Sequence, residues 1–258
     1  MKTLTAMNRL SLTATRLTLV AVGTCGTVTA AQAVELITNG GFETGNFTGW
    51  TVSRQPGSNS PQGFFAASGN TTPLSGFLTV GPAGGSFYAV SDQTGPGAYS
   101  LTQTFTVPGA ASSVVLSFRQ FVNDWSGVGP IVNPAGLDFN AFPNQHARVD
   151  ILRAGSNPFS TAPADVLGNF YLGNDPRASN PNPYTAYNFD ITSLVGGGGS
   201  FILRFAEVDN QGFFNQGVDN VSINFTPATS TVPEPSSVLG LLGLGTLGVI
   251  SSVKRFRK

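Results

Sequence analysis

Gly217-Val218-Asp219-Asn220-Val221-Ser222-Ile223-Asn224-Phe225 decides the fold of this chain. From Asn220 onward, polar and apolar residues alternate with a period of two. An extended strand then places Val221, Ile223 and Phe225 on one face and Asn220, Ser222 and Asn224 on the other. The same pattern recurs upstream. Phe201, Leu203 and Phe205 alternate with Arg204, and Val149 and Ile151 with Arg148 and Asp150. Leu101, Gln103, Phe105 and Val107 alternate with threonines. Each strand has one face to bury, and two sheets packed face to face satisfy all of them at once. The sequence therefore predicts an all-β domain, a β-sandwich of jelly-roll type. Strands are expected at 34–38, 47–53, 76–80, 87–91, 100–107, 114–122, 147–153, 169–172, 187–191, 201–208 and 218–225. Polar loops are expected at 55–72, 126–145 and 173–183, with Gly196 to Gly199 as a hairpin turn. No helix is expected between the two ends of the chain, and no internal repeat is evident.

The ends have a different character. Lys2, Arg9 and Arg16 precede a short apolar stretch, Leu17 to Val28, and Ala31-Gln32-Ala33 is a small-x-small cleavage site. Residues 1–33 thus read as a secretory signal peptide, with the Sec translocon as its partner and the small residues Ala31 and Ala33 just before the cut, which leaves Val34 as the first residue. The only cysteine, Cys25, lies inside this segment. Val22-Gly23-Thr24-Cys25 makes a poor lipobox, because Thr24 stands where Gly or Ala is usual. A chain starting at Val34 has no cysteine, so disulfides cannot staple it.

At the other end, 226–235 reads as a linker containing Val232-Pro233-Glu234-Pro235. Residues 236–258 form a tail whose apolar run, Val238 to Val253, ends in Lys254, Arg255, Arg257 and Lys258. As a helix that run spans roughly 24 Å, short of the ~30 Å hydrocarbon core of a bilayer. A marginal membrane span followed by cations suits a stop-transfer device with its basic end in the cytoplasm. Pro233 and Pro235 remove two backbone donors and keep Glu234 extended and accessible to cleavage.

This tail resembles the PEP-CTERM sorting signal: the motif Val232, Pro233, Glu234 and Pro235, then a short helix, then an Arg-rich terminus. The resemblance covers about a tenth of the chain. It implies that the partner is an exosortase, a membrane-embedded cysteine transpeptidase of Gram-negative bacteria that make exopolysaccharide. It also implies anchoring in the inner membrane in transit, then release to the cell surface or extracellular matrix.

Between the two ends, six arginines and no lysine face 13 acids, a net charge of −7 over 34–235. Such a domain is a poor binder of nucleic acid or anionic membrane, since both need cations to neutralise phosphates. The sign suits cation binding instead.

The start of the domain, Leu36-Ile37-Thr38-Asn39-Gly40-Gly41-Phe42-Glu43-Thr44-Gly45-Asn46-Phe47-Thr48-Gly49-Trp50, looks like the opening signature of the galactose-binding-like jelly rolls, which include carbohydrate-binding modules. Gly217 to Ile223 is similar to their last strand. The resemblance implies a structural Ca²⁺ held by Glu43 and Asp219, with main-chain oxygens from Asn39 to Thr44 completing a hard-cation site. In the alternative reading, Glu43 caps the Gly-rich turn and Asp219 accepts strand-end amides.

Trp50 is expected in the core and Trp125 in a loop, where with Asp124 and Asp209 it forms a candidate ligand platform for sugar stacking. The competing reading of Trp125 is an aromatic that covers a sheet end. Glu207 to Asn215 mixes acids, amides and two phenylalanines, which suits a ligand rim, a second ion site or a packed-down polar loop. His146, the only histidine, has no Gly-x-Ser-x-Gly elbow and reads as a surface residue. No catalytic residues are assigned and the chain is not read as an enzyme. The function expected is an exported surface or matrix protein that binds or structures exopolysaccharide. The alternatives are a secreted glycan-active hydrolase using an Asp/Glu pair and a passive matrix protein.

Overall fold

The structure is a computed structural model and describes residues 32–128, 130–173 and 180–229. The signal peptide with Ala31 and Cys25, the sorting residues Val232, Pro233, Glu234 and Pro235, and the apolar tail lie outside the described residues. Among the described residues no helix is long and apolar enough to cross a membrane.

Eleven strands and one short helix follow one another as β1 (Val34–Glu35), β2 (Thr51–Arg54), β3 (Phe64–Ala67), β4 (Tyr88–Ser91), β5 (Gly97–Val107), β6 (Ala111–Asp124), β7 (Gln145–Arg153), β8 (Val166–Gly173), β9 (Thr185–Asp190), α1 (Thr192–Val195), β10 (Gly199–Asp209) and β11 (Phe214–Pro227). One sheet runs β3-β4-β11-β6-β9, with β1 also paired to β11; the other runs β2-β5-β10-β7-β8. Every pairing is antiparallel, and apart from the consecutive pairs β3-β4 and β7-β8 neighbours in each sheet are separated in sequence, as in a jelly roll. The longest ladder runs unbroken from Gly199↔Val107 to Asp209↔Gly97.

The alternation sets which side chains meet. Phe105, Leu116, Phe118, Val149, Ile151, Leu203, Phe205, Val218 and Ile223 are all buried in one core between the sheets. Phe205 meets Phe118 edge-on at 5.3 Å and Trp50 at 6.1 Å between ring centroids, so Trp50 packs in the core as expected. Stacking beyond simple area burial adds about 0.5–1.5 kcal/mol per aromatic pair.

Three expectations need correction. Residues 76–80 are not a strand, since only an isolated bridge joins Thr71 to Leu78. Residues 64–67, read as loop, form β3 against β4, and Phe64-Phe65-Ala66-Ala67 carries no alternation by which to recognise it. A helix of one turn, Thr192–Val195, stands where none was expected.

The outer face of β10 is covered as well. Arg204 is fully buried and donates from Nε and Nη2 to Asp150 Oδ2, at 3.0 and 2.6 Å. Its Nη1 donates to the carbonyls of Pro158 and Ser160, fixing the 154–165 loop over the sheet. Arg148 donates to both oxygens of the same carboxylate at 2.7 and 2.8 Å, and Asn169 adds a further bond. Burial alone would raise the Asp150 pKa, but hydrogen bonds and charge from the two guanidiniums outweigh it and hold it below the usual carboxylate value. Its stabilising contribution is therefore complete above the unfolded carboxylate pKa and is lost as pH falls through the lower folded one. Asp150→Asn should leave two buried guanidiniums without a counter-charge, costing about 3–5 kcal/mol. Thermal unfolding is expected to show this as a fall of roughly 10 °C or more, and an unchanged midpoint would refute the role given to Asp150.

Candidate functional site

Glu43 and Asp219 come together across a loop. The chain from Leu36 to Gly40 runs beside β11, with Leu36 N–H donating to the Ile223 carbonyl and Val221 N–H to the Gly40 carbonyl, both at 2.9 Å. The pairing register of β11 shifts between Asp219 and Ser222, and Asn220 there has φ 51°. The Asp219 side chain meets the loop at Ala83 and Gly84, whose N–H groups donate to Oδ2 at 2.7 and 3.0 Å; Asn220 N–H donates to Oδ1. Glu43 accepts from Ser86 N–H on both oxygens at 3.0 Å and from Phe87 N–H at 3.1 Å. Asn39 closes the opening loop: its Nδ2 donates to the Asn46 carbonyl, its Oδ1 accepts from Thr44 N–H, and its own carbonyl accepts from Phe42 N–H and Trp50 Nε1.

A Ca²⁺ site needs oxygens turned toward the ion. Each of the four carboxylate oxygens of Glu43 and Asp219 instead accepts at least one main-chain N–H. Among the described residues no third acid, histidine or cysteine joins Glu43 and Asp219. As placed, Glu43, Asp219 and Asn39 do not fit a Ca²⁺ site; they fit the amide-accepting reading. Burial raises the Asp219 pKa, its three backbone amides lower it, and the nearby Glu43 charge raises it further.

The other predicted residues gather at one end of the sandwich. Asp124 ends β6 in one sheet, Asp209 ends β10 in the other, and β11 begins with Phe214 opposite Asp124. Gln145, opposite Asp209, donates from Nε2 to Asp124 Oδ1 at 2.8 Å. Trp125 is half-buried, its main-chain N–H donating to the Phe213 carbonyl, while its indole Nε1 is buried with no partner. The Trp125 ring lies 4.8 Å from Phe77, which lies 4.7 Å from Phe213. One face of the indole is thus taken by a neighbour, and Phe213, 36 % exposed, shares the surface with it. A cavity of about 130 Å³ opens beside this trio, lined among others by Gln93, Pro96, Asp209, Asn210 and Phe213.

Beneath that cavity the interior turns polar. Along β10 the inward positions run Phe201, Leu203, Phe205, then Glu207 and Asp209, and both acids are buried. Burial first, then repulsion from Asp209, lifts the Glu207 pKa well above the usual carboxylate range; burial does the same for Asp209. Tyr99 is raised for the same reasons, burial and then the Glu207 charge. Glu207 was expected both within the 201–208 strand and at the head of the polar segment 207–215, and no role was expected of Gln93 or Tyr99. The signal was present in Phe205-Ala206-Glu207-Val208-Asp209, where acids continue the inward register of the core.

His146 is a further correction. Far from being a surface residue, it is fully buried, with Nδ1 3.0 Å from Asn144 Oδ1 and 3.3 Å from the Ile131 carbonyl. The 126–145 loop folds over it, with Leu137 and Phe139 packed on Ala98, Ala206 and Val208. Burial lowers its pKa from 6.5 to about 4.

Residues 231–257 match the PEP-CTERM protein-sorting motif. No curated protein matches the chain. Among solved structures, the chain is similar to TmCBM61, crystallised with β-1,4-galactotriose, at 11% identity and TM-score 0.45, covering 74% of this chain and 97% of that one. It is also similar to the K1 cleaved adhesin domain of Lys-gingipain from Porphyromonas gingivalis W83, at 12% identity and TM-score 0.42, covering 77% and 99%. The CBM22-1 xylan-binding domain of Paenibacillus barcinonensis Xyn10C matches at 11% identity and TM-score 0.39, covering 79% and 100%.

Two outcomes follow for stability. Gly85 has φ 65°, and a Cβ there would lie 2.3 Å from Glu43 Oε1. Gly85→Ala should therefore open the clasp and cost about 2 kcal/mol or more in denaturant titration; a neutral result would remove Glu43 from the account of stability. A His whose folded pKa lies below its unfolded one stabilises fully above about pH 6.5 and loses that contribution as pH falls toward about 4. The raised acids at Glu207 and Asp209 act in the opposite sense, losing stability as pH rises above the unfolded carboxylate pKa. The difference in unfolding free energy between wild type and His146→Gln should consequently slope by up to ~1.4 kcal/mol per pH unit in that window, and a flat difference would mean His146 titrates normally.

Proposed function

We propose that this chain is exported and handed by an exosortase to the cell surface or extracellular matrix, where its sandwich binds or structures exopolysaccharide. The observation that carries this reading is the sorting motif at 231–257. In the sequence it follows a domain whose buried core lies within residues 31–230. The acidic, lysine-free composition of the domain suits a neutral or cation-bridged polysaccharide better than a phosphate-rich partner.

The end carrying Phe77, Trp125 and Phe213 is the surface that suits a glycan. Apolar ring faces there border amide and acid groups lining an open cavity, the mixture that recognises a sugar's C–H face and hydroxyl edge. Two half-exposed rings worth about 1 kcal/mol each make a binding contribution of roughly thirty-fold.

Retention on the producing strain's purified exopolysaccharide gives the test. The full chain in mild detergent should be retained, and the double change Trp125→Ala with Phe213→Ala should weaken retention about ten-fold or more with an unaltered far-UV spectrum. Equal retention of both proteins would remove the aromatic end from the reading. Polysaccharide hydrolysis by the purified chain would replace binding with catalysis.

A further inference from the structure

The polar end of the sandwich interior holds acceptor oxygens short of donors. Glu207 is fully buried, and neither of its carboxylate oxygens has a partner at full hydrogen-bond length, the Ser91 hydroxyl bearing on it only weakly; Asp209 Oδ1 also has none at that length, although the Gln93 side chain and main-chain amides at Gly97 and Asp209 bear on that carboxylate. Both side chains point inward from β10, two residues apart on one face of the strand. The ion pairs at Asp150 lie on the opposite face of β10, and among the described residues none reaches Glu207 or Asp209.

A second observation is independent of the acids. Gln93 is fully buried and lines the same cavity as Asp209. One N–H of its Nε2 donates to the Phe214 carbonyl at 2.6 Å and the side chain also bears on Asp209, which fixes the amide, while Oε1 has no partner. The Tyr99 hydroxyl, also unpartnered, lies over Gly97, the residue opposite Asp209; a Cβ at Gly97 would sit 2.1 Å from that oxygen. Only glycine leaves the hydroxyl its place.

An ionised carboxylate buried without a partner costs several kcal/mol even after relaxation, and orphaned buried acceptors are rare in folded proteins. A cation removes all these costs at once. Every donor atom here is oxygen, two of the groups are carboxylates, and no sulfur or imidazole joins them, which is the preference of a hard divalent ion such as Ca²⁺. We infer that Glu207, Asp209 and Gln93 form a cation site for Ca²⁺ between the two sheets, entered through the cavity beside Phe213, with the Tyr99 hydroxyl at its edge. The site stands apart from the Glu43–Asp219 clasp, whose oxygens are already occupied by amides. Through Asp209 it shares the cavity beneath the aromatic end.

The test uses the full chain in mild detergent at pH 7, stripped with chelator and then titrated with CaCl₂. Calcium at a hundred-fold excess over its Kd should raise the unfolding midpoint by about 5 °C or more. Glu207→Gln keeps the shape and removes the charge, so it should abolish the rise, whereas Glu43→Gln should retain it. Terbium supplies a readout that survives a poorly folding variant, because Tyr99 lies within sensitising range of the site. Wild-type protein should give tyrosine-sensitised Tb³⁺ luminescence that Ca²⁺ displaces, and Tyr99→Phe should lose most of it. A wild-type midpoint indifferent to Ca²⁺ would overturn the inference and leave the two acids as a proton-sharing pair. A Ca²⁺ response retained in Glu207→Gln but lost in Glu43→Gln would overturn it in favour of the clasp.

Discussion

Burial of β10 on both faces is the constraint on which the rest of this structure depends. A strand in the middle of a sheet with one solvated face needs only alternation. Here the outward positions are covered too, so each polar residue at them must find a partner inside the protein. Arg204 does so through Asp150 and the carbonyls of Pro158 and Ser160, turning a surface excursion of the chain into a second layer. Farther along the strand, Ala206 and Val208 take Leu137 and Phe139 in the same way. The long loops are thus part of the packing, which is why His146, at the edge of a polar stretch, ends up enclosed.

The two sheets are held in register without covalent help. The first strand lies on the last, and the residues after it continue that contact as far as Gly40. The Glu43 and Asp219 side chains then clamp the loop from Ala83 to Phe87 by its N–H groups. Charge-assisted bonds of this kind are shorter and stronger than neutral ones. They close long segments of chain, the purpose disulfides serve in many small exported domains. Glu35 adds to the same seam by accepting from Ile223 N–H and Ser222 Oγ.

Along its length the sandwich divides its labour. One end is a conventional apolar core with the N-terminal stretch sealed over it. The other exchanges hydrophobic burial for amides, acids and a tyrosine hydroxyl beneath an open cavity, with Phe213 on its lining and Phe77 and Trp125 packed in turn beside that ring. Polar groups buried at this density cost stability unless something pairs them, so the natural place to look for a ligand is the end that gives up packing energy. The sorting motif occupies a separate stretch of the sequence, residues 231–257.

The sequence alone settled the class of fold, because a period of two in Val221–Phe225, Phe201–Phe205 and Val149–Ile151 has no other economical solution. It settled the sorting tail as well, since Pro-Glu-Pro, an apolar run and terminal cations act through local order rather than through tertiary contact. Trp50 was legible as core because it enters a strand beside apolar neighbours. The tertiary structure decided what long-range proximity controls. Phe64–Ala67 became a strand only because β4 lies alongside it, and His146 was buried by a loop whose path its own residues do not reveal. Whether Glu43 and Asp219 face an ion or amides depended on where residues 83–87 pass, some forty residues from one acid and well over a hundred from the other. The orphaned oxygens of Glu207 and Asp209 on β10 and of Gln93 just past β4 likewise come from distant parts of the chain, and a hydrogen-bond deficit exists only once folding has brought them together and excluded water.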